Sequence, residues 1–346
     1  MKFDVIGFED KKKWERIVKD REVYYQWQYV DAFYKIGDGI PKLAYAFDRD
    51  DYVINVFFLR NINRDLNFSD SLEQCYDIIT PYGYGGVDYN GNNTLLLNYY
   101  FDQFDQYCNE NNIISEFVRL SPFTKNYTNY DSRYELSTTS KTVFMKLDNP
   151  RQIWDDMEGR SRTTIRKAIK NGLEVKSGFS RQMLDEFKII YHDTMDRDNA
   201  EENYYFNDDF FKSIYENLKD FSKIYTVYYE NKPISSSIVM FNKENAHYHL
   251  SGTLSDYMKY GANNIGLYKI ALDLCDGGYK IFHLGGGYGG DSSPLLKFKE
   301  SFNKNGLLDF YVAKRVFNQK IYDNLCSKVG VKKDCNYFPA YRKPSS

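Results

Sequence analysis

Three apolar runs rich in aromatic and β-branched residues lie close together in the second half of the chain: Lys223–Tyr229, Ile234–Phe241 and Ala246–Thr253. Only Asn231-Lys232 and Lys243-Glu244-Asn245, short polar turn sequences, separate them. This spacing predicts a three-strand meander. Gly261-Ala262-Asn263-Asn264 then opens a helical segment that reaches to about Asp276 and is stopped by Gly277-Gly278. Ahead of the meander, Arg162–Asn171 reads as a basic helix ended by Gly172, and Arg181–Met195 and Asp208–Leu218 as amphipathic helices. Behind it, Lys280–Leu284 reads as a short strand, Leu295–Phe302 as a helical turn or two, and Leu307–Val312 as another strand. The half therefore runs helix, helix, three strands, helix, strand, helix, strand.

The first half also mixes strand and helix. Leu43–Phe47 and Tyr52–Arg60 form a hairpin pattern around the polar tip Asp48–Asp51, Thr94–Asn111 carries helical spacing, and Ile113–Leu120 follows as a strand. A length of 346 residues suggests two domains. The best boundary is Leu147-Asp148-Asn149-Pro150, where a strand gives way to a helix with a capping residue and proline at its first position. The expectation is an α/β (α+β) protein with mixed central sheets flanked by helices. Its domains would span residues 1–150 and 151–310, with a C-terminal strand and helix, 311–346, packing back on them.

Charge and composition exclude several function classes. Lys and Arg total 46 and Asp and Glu 48, a formal charge of −2, so no generally basic coat for DNA is present. No run of about 18 or more apolar residues predicts a membrane span, and the charged N-terminus lacks the apolar stretch of a signal peptide. The five cysteines are scattered and never spaced CxxC, which argues against zinc and a disulfide framework and for a reducing cytoplasm.

Several segments carry a resemblance. They are Asp77-Ile78-Ile79-Thr80-Pro81-Tyr82-Gly83-Tyr84-Gly85-Gly86, Glu116-Phe117-Val118-Arg119-Leu120, His247-Tyr248-His249-Leu250-Ser251-Gly252-Thr253 with Gly261 to Asn264, Phe282-His283-Leu284-Gly285-Gly286-Gly287, and Leu296-Lys297-Phe298-Lys299-Glu300-Ser301-Phe302. Together with the order of elements, they resemble the Fem-type branch of the GNAT acyltransferase superfamily, in a small acetyltransferase-like form without the long helical arm. The resemblance runs from Tyr82 to Phe338-Pro339-Ala340-Tyr341-Arg342. It implies two tandem GNAT-like domains, with the acceptor held on the N-terminal side and the donor and transfer site in the second domain. It further implies transfer of an acyl or aminoacyl group to an amine of a cell-envelope precursor: an amino sugar, peptidoglycan or surface polysaccharide. The donor, aminoacyl-tRNA or acyl-CoA, would be a co-substrate, with no permanently bound cofactor. Peripheral contact with a lipid-linked substrate fits the same picture. Two alternatives remain open: an acyl-CoA-dependent N-acetyltransferase acting on a nucleotide-linked amino sugar, and a non-catalytic scaffold in envelope assembly.

The resemblance places Lys299, the lysine of Phe-Lys-x-x-Phe, at the transfer centre, where an ammonium can stabilise an oxyanion. On the residues alone it is equally a solvated lysine beside two aromatics, and Lys297 is the alternative. Gly261, Ala262, Asn263 and Asn264 sit where GNAT enzymes hold an anionic donor, and a helix start suits an anion. Here the usual Arg/Gln-x-x-Gly-x-Gly/Ala loop reads Met258-Lys259-Tyr260-Gly261-Ala262-Asn263, departing at its first and last positions. Arg197 and Tyr191, and more loosely Lys35, match acceptor-binding positions. Arg162 and Arg166, four apart on one helical face, could contact a phosphate. His247 and His249 alternate on a strand and are expected to share a face. No third metal ligand is evident, so no metal site is expected. His283 reads as a core histidine. Gly285-Gly286-Gly287-Tyr288-Gly289-Gly290 fits neither nucleotide-loop motif and reads as a turn near the site.

Overall fold

The meander closes where the backbone turns left-handed. Glu230 and Asn231 hold φ of 50° and 63°, and the flanking Tyr229 and Lys232 pair across them. That is the geometry of a two-residue hairpin loop, whose twist matches its strands. The structure is a computed structural model that describes residues 1–68, 73–92, 94–287, 293–332 and 335–344. Its strands are β1 (Lys2–Gly7), β2 (Ile40–Asp48), β3 (Asp51–Asn61), β4 (Tyr76–Ile79), β5 (Asp88–Tyr89), β6 (Ile113–Arg119), β7 (Glu135–Lys146), β8 (Glu174–Gly178), β9 (Ser222–Tyr229), β10 (Lys232–Asn242), β11 (Asn245–Thr253), β12 (Ile281–Gly286) and β13 (Leu307–Val316). The helices are α1 (Lys11–Val18), α2 (Trp27–Lys35), α3 (Ile62–Asp65), α4 (Thr94–Glu110), α5 (Pro150–Asp156), α6 (Gly159–Lys170), α7 (Arg181–Arg197), α8 (Asp208–Asn217), α9 (Ala262–Asp276), α10 (Pro294–Glu300) and α11 (Gln319–Lys328).

Two compact units form. One comprises Met1–Lys19, Tyr24–Thr139 and Phe310–Ser346; the other comprises Asp20–Val23 and Ser140–Asp309. The first unit orders its strands β1-β2-β3-β4-β6-β13. Pairing is antiparallel from β1 to β4, parallel between β4 and β6, and antiparallel again to β13. The second orders its strands β8-β9-β10-β11-β12-β7, antiparallel from β8 to β11, parallel between β11 and β12, and antiparallel to β7. The two units thus share one topology. In each, a helix bridges the fourth strand and its parallel neighbour, α4 in the first and α9 in the second. The first unit takes its sixth strand from the far end of the chain.

Each bridging helix buries an apolar face on its own sheet. Tyr100, Phe101 and Phe104 of α4 join Ala44, Phe57 and Ile78. Leu267, Ile270, Ala271 and Leu274 of α9 join Val239, Ala246 and Phe282. The expected α/β class, with mixed sheets flanked by helices, is observed. So is the cap before Pro150: the Asn149 side chain accepts from the Gln152 amide at 2.9 Å. Among the described residues, no helix is long and apolar enough to cross a membrane.

In the second unit α7 lies close over β11, and a glycine makes the approach possible. A Cβ at Gly252 would stand 2.7 Å from both Ile190 O and Thr194 Oγ1. Gly252→Ala is therefore expected to lower stability by about 1–3 kcal/mol, read as a fall in Tm and in denaturant midpoint. An unchanged midpoint would mean that α7 can retreat freely from the strand.

Candidate functional site

β11 and β12 pair over only three residues on each strand: Asn245 with Ile281, Ala246 with Phe282, and His247 with His283. Beyond that point β11 stays paired to β10 as far as Thr253, and β12 stays paired to β7 as far as Gly286. The two parallel strands therefore part, and a cleft of about 660 Å³ borders the opening. Its walls are Tyr248 to Thr253 except Leu250, the start of α9 from Gly261 to Asn264, the end of α7 with Thr194 to Asp198 except Asp196, Met258, and Pro294, Leu295, Phe298 and Lys299 of α10.

Lys299 comes to this cleft because α10 starts tightly. The Ser293 hydroxyl caps it by accepting from the Leu296 amide at 3.1 Å, Pro294 occupies the first turn, and Gly287 leaves room for the Ser293 hydroxyl. The other end is tied to α6 by the Ser161 and Ser301 hydroxyls, 2.7 Å apart. Phe298 and Phe302 meet edge to face at 5.3 Å. The side chain of Lys299 is nearly buried, and Nζ donates to Gly286 O at the end of β12, 2.7 Å away. Burial pushes its ammonium down to about 8, so near neutral pH it is charged but close to releasing a proton.

The start of α9 faces the same space. Gly261 holds φ of 73°, and a Cβ there would meet Thr164 Cγ2 at 2.5 Å, so only glycine fits this turn. The Asn263 Oδ1 accepts from Ser235 Oγ at 2.9 Å and from Thr253 Oγ1 at 2.5 Å, which ties the helix start to the meander. The first amides of any helix lack intrahelical acceptors and suit an anion. Arg197 borders the cleft at the end of α7, donating to Thr253 O at 2.7 Å and to Asp198 Oδ1 at 3.1 Å. Lys299, Gly261 to Asn264 and Arg197 are thus brought together.

The remaining expected residues lie elsewhere. Tyr191 is buried, and its hydroxyl donates to Tyr204 O at 2.9 Å. Arg162 Nη1 donates to the carbonyls of Trp154 and Asp155 at 3.4 and 3.5 Å, and Arg166 lies over the Trp154 ring at 5.0 Å. Both arginines thus engage α5. Lys35 is exposed at the end of α2 in the first unit. The glycine-rich segment continues β12 as far as Gly286, while its residues 288–290 lie outside the described residues.

The two meander histidines do not share surroundings. Ile238 pairs with Leu250 and Val239 with Tyr248, leaving His249 as the extra residue of a β-bulge. A bulge breaks the alternation of a strand and re-aims its side chains. His249 consequently lines the cleft, and burial pushes it down to about 3. His247 is buried against Glu22 and His283 instead, 2.9 Å from a Glu22 oxygen. Sequence reasoning missed Glu22, which lies far from His247 in the chain. His283 is buried as expected, and burial holds it well below its ordinary value.

Residues 159–299 match the family model described as "Acetyltransferase (GNAT) domain". That stretch contains every residue named above as a wall of the cleft. The second unit therefore carries a GNAT acetyltransferase domain, and the chain is a transferase of that class. Its fold is that of the Fem-like branch: it is similar to the crystal structure of FemX over 94% of this chain and 99% of that one, with a TM-score of 0.66 at 13% identity. It is also similar to L-PGS from Bacillus licheniformis, over 88% of this chain and 92% of that one, with a TM-score of 0.59 at 13% identity. A C-terminal domain assigned to a lysylphosphatidylglycerol synthetase from Agrobacterium fabrum matches over 95% and 98%, with a TM-score of 0.57 at 13% identity. No curated protein sequence matches the chain.

The lowered value of Lys299 has a consequence for stability. Unfolded, a lysine titrates near 10.4. Between about pH 8 and that value the folded state binds fewer protons than the unfolded one, so this group makes stability rise with pH across that window. Below it, the folded protein carries the cost of a buried ammonium. Lys299→Met is therefore expected to be more stable than the parent at pH 7, by about 1–3 kcal/mol after loss of the hydrogen bond to Gly286. The gain should shrink as pH rises towards 10. Denaturant unfolding of both proteins across this range checks the sign, and a less stable variant at pH 7 would contradict it.

Proposed function

We propose that this chain transfers an acyl or aminoacyl group onto an amine of a cell-envelope precursor, by direct attack and without a covalent enzyme intermediate. The observation that carries the reading is the position of Lys299. Its Nζ reaches the end of β12 where the strands part, in one cleft with the start of α9 and Arg197. An acyl group held in that opening would have its carbonyl oxygen beside a cation. As the amine attacks, charge develops on that oxygen, and a fixed ammonium in a buried setting stabilises it more than it stabilises the ground state. The cleft also aligns the two reactants, which removes much of the entropic barrier.

For the donor, the α9 start supports an anionic handle, the pyrophosphate of acyl-CoA or the phosphates of aminoacyl-tRNA. The departures of the 258–263 loop from the usual acyl-CoA pattern favour an aminoacyl donor. A fold relative named for lysylphosphatidylglycerol synthesis supports the same choice. Arg197 supports an acceptor with a phosphate or carboxylate handle, such as a nucleotide-linked or lipid-linked amino sugar or muropeptide. The second reading, an acyl-CoA-dependent N-acetyltransferase, is favoured by the match to an acetyltransferase model. A non-catalytic scaffold fits less well, because a buried lysine lowers stability unless function retains it.

The test is steady-state kinetics of Lys299→Met with acyl-CoA and aminoacylated-RNA donors and amino-sugar acceptors. Methionine keeps the length and apolar area of the stem. Turnover is expected to fall by about 10²–10³-fold with KM nearly unchanged. In the parent, kcat should decline as pH rises through about 8, because that step removes the ammonium. Full turnover in the variant would remove Lys299 from the chemistry. A raised KM at constant kcat would make it a binding group only.

A further inference from the structure

The pairing of β11 with β12 ends on two buried histidines, His247 and His283. Their Nδ1 atoms lie 3.4 Å apart. On the other side of His247, its Nε2 lies 2.9 Å from Glu22 Oε2. Glu22 belongs to the short segment Asp20–Val23, which is part of the second unit. Three contacts hold that segment on the β10–β11 hairpin: Asn242 donates to Arg21 O, Lys243 pairs with Asp20 at 3.1 Å, and Asn245 Nδ2 donates to Glu22 Oε1 at 2.5 Å. Burying polar side chains in a line costs stability unless each is satisfied, and these contacts satisfy them in sequence.

The line has a direction. Burial alone would push the Glu22 carboxyl up, but the hydrogen bonds from His247 and Asn245 hold it below its ordinary value, so it is a carboxylate that accepts. His247 therefore carries its proton on Nε2 and presents a bare Nδ1. The Nδ1–H of His283 then donates across the 3.4 Å gap. His283 feels the Lys299 ammonium, which together with burial and His247 disfavours its protonation. Lys299 itself is bonded to Gly286 on the same strand. Glu22, His247, His283 and Lys299 thus run from within the second unit to the floor of the cleft.

We propose that Glu22, His247 and His283 form a proton relay in which His283 takes the proton of the attacking amine, while Glu22 and His247 act as positioning residues that fix its tautomer. This rests on the transfer reading above. The amine lone pair forms the N–C bond, and the carbonyl π pair moves onto oxygen beside Lys299. The amine proton passes to His283 Nε2, the Nδ1 proton of His283 to Nδ1 of His247, and the Nε2 proton of His247 to the Glu22 carboxylate. The oxygen pair then re-forms the C=O bond. The bond to the leaving group breaks with its electron pair on that group, which takes a proton from the Lys299 ammonium. The proton on Glu22 returns along the same line to Lys299. An isolated His283 would be a poor base here, since a lasting imidazolium is disfavoured at this depth. A relay that ends on a carboxylate leaves no imidazolium behind.

The test uses the full chain labelled with ¹⁵N-histidine, comparing the parent with Glu22→Gln, which keeps the shape and an acceptor oxygen but removes the charge. With four histidines in the chain, resonances are assigned by single His→Gln variants. In the parent, His247 is expected as the Nε2–H tautomer and His283 as the Nδ1–H tautomer, each unmixed. In Glu22→Gln, His283, two rings from the change, is expected to become a mixture of tautomers. A Glu22 that only packs would lower Tm and leave His283 fixed, and that result overturns the relay. In the transfer assay, kcat of Glu22→Gln is expected to fall by about 10²-fold with KM unchanged, and Glu22→Asp to recover part of the loss. Unchanged kcat overturns the relay as well. If the tautomer response is present but Lys299→Met retains full turnover, the transfer chemistry fails rather than the hydrogen-bonded line.

Discussion

The parting of β11 and β12 beyond His247 and His283 is the constraint on which the rest of the second unit depends. Two parallel strands normally satisfy each other's backbone groups along their length. Here each has another partner: β10 holds β11 as far as Thr253, and β7 holds β12 as far as Gly286. The opening is therefore stable without ligand, and an acyl group could enter between the strands without breaking a ladder. The first unit shows the same topology with the seam closed. Its β4 and β6 pair as far as Ile79 and Phe117, Gly85 bridges to Leu120, and the Gly85 amide donates to Arg119 O at 2.8 Å.

A second consequence concerns charge. The seam ends in a buried His–His contact, and a buried lysine reaches the strand end beyond it. Apolar residues could fill such a place at lower cost. Burial pushes the Lys299 ammonium down and holds His283 well below its ordinary value, so both groups are held close to the form needed for proton movement. Perturbed groups gathered beside a cleft are the physical mark of a reactive centre. Both lie within the stretch that matches the GNAT acetyltransferase family.

Much of this was legible in the sequence because local rules and the global fold agree. The meander strands were readable from β-forming runs and turn residues, and α9 from a glycine that only a left-handed turn explains. Lys299 was found through Phe-Lys-x-x-Phe, whose aromatics do pack on the same short helix. Three features were not readable. β8 is short and half polar, so periodicity gives it no signal. The bulge at His249 overturns the two-residue alternation that placed both histidines on one face, and bulges leave little trace in a single sequence. Glu22 meets His247 from a loop a long way back along the chain, a contact that no local spacing encodes. Tyr191, Arg162 and Arg166 sit at plausible helical positions, yet their own neighbours occupy them, which only packing reveals.

The central claim is that the opening between β11 and β12 is where the acyl donor sits. Hydrogen–deuterium exchange of the full chain tests it most directly, measured with acetyl-CoA and separately with a 3′-aminoacyl adenosine as donor probes. The account predicts that one of them slows exchange in Tyr248–Thr253, in the first turn of α9 at Gly261–Asn264, and in α10 around Lys299, because all three border the same cleft. Protection confined to the first unit, or none with either probe at saturating concentration, would contradict it.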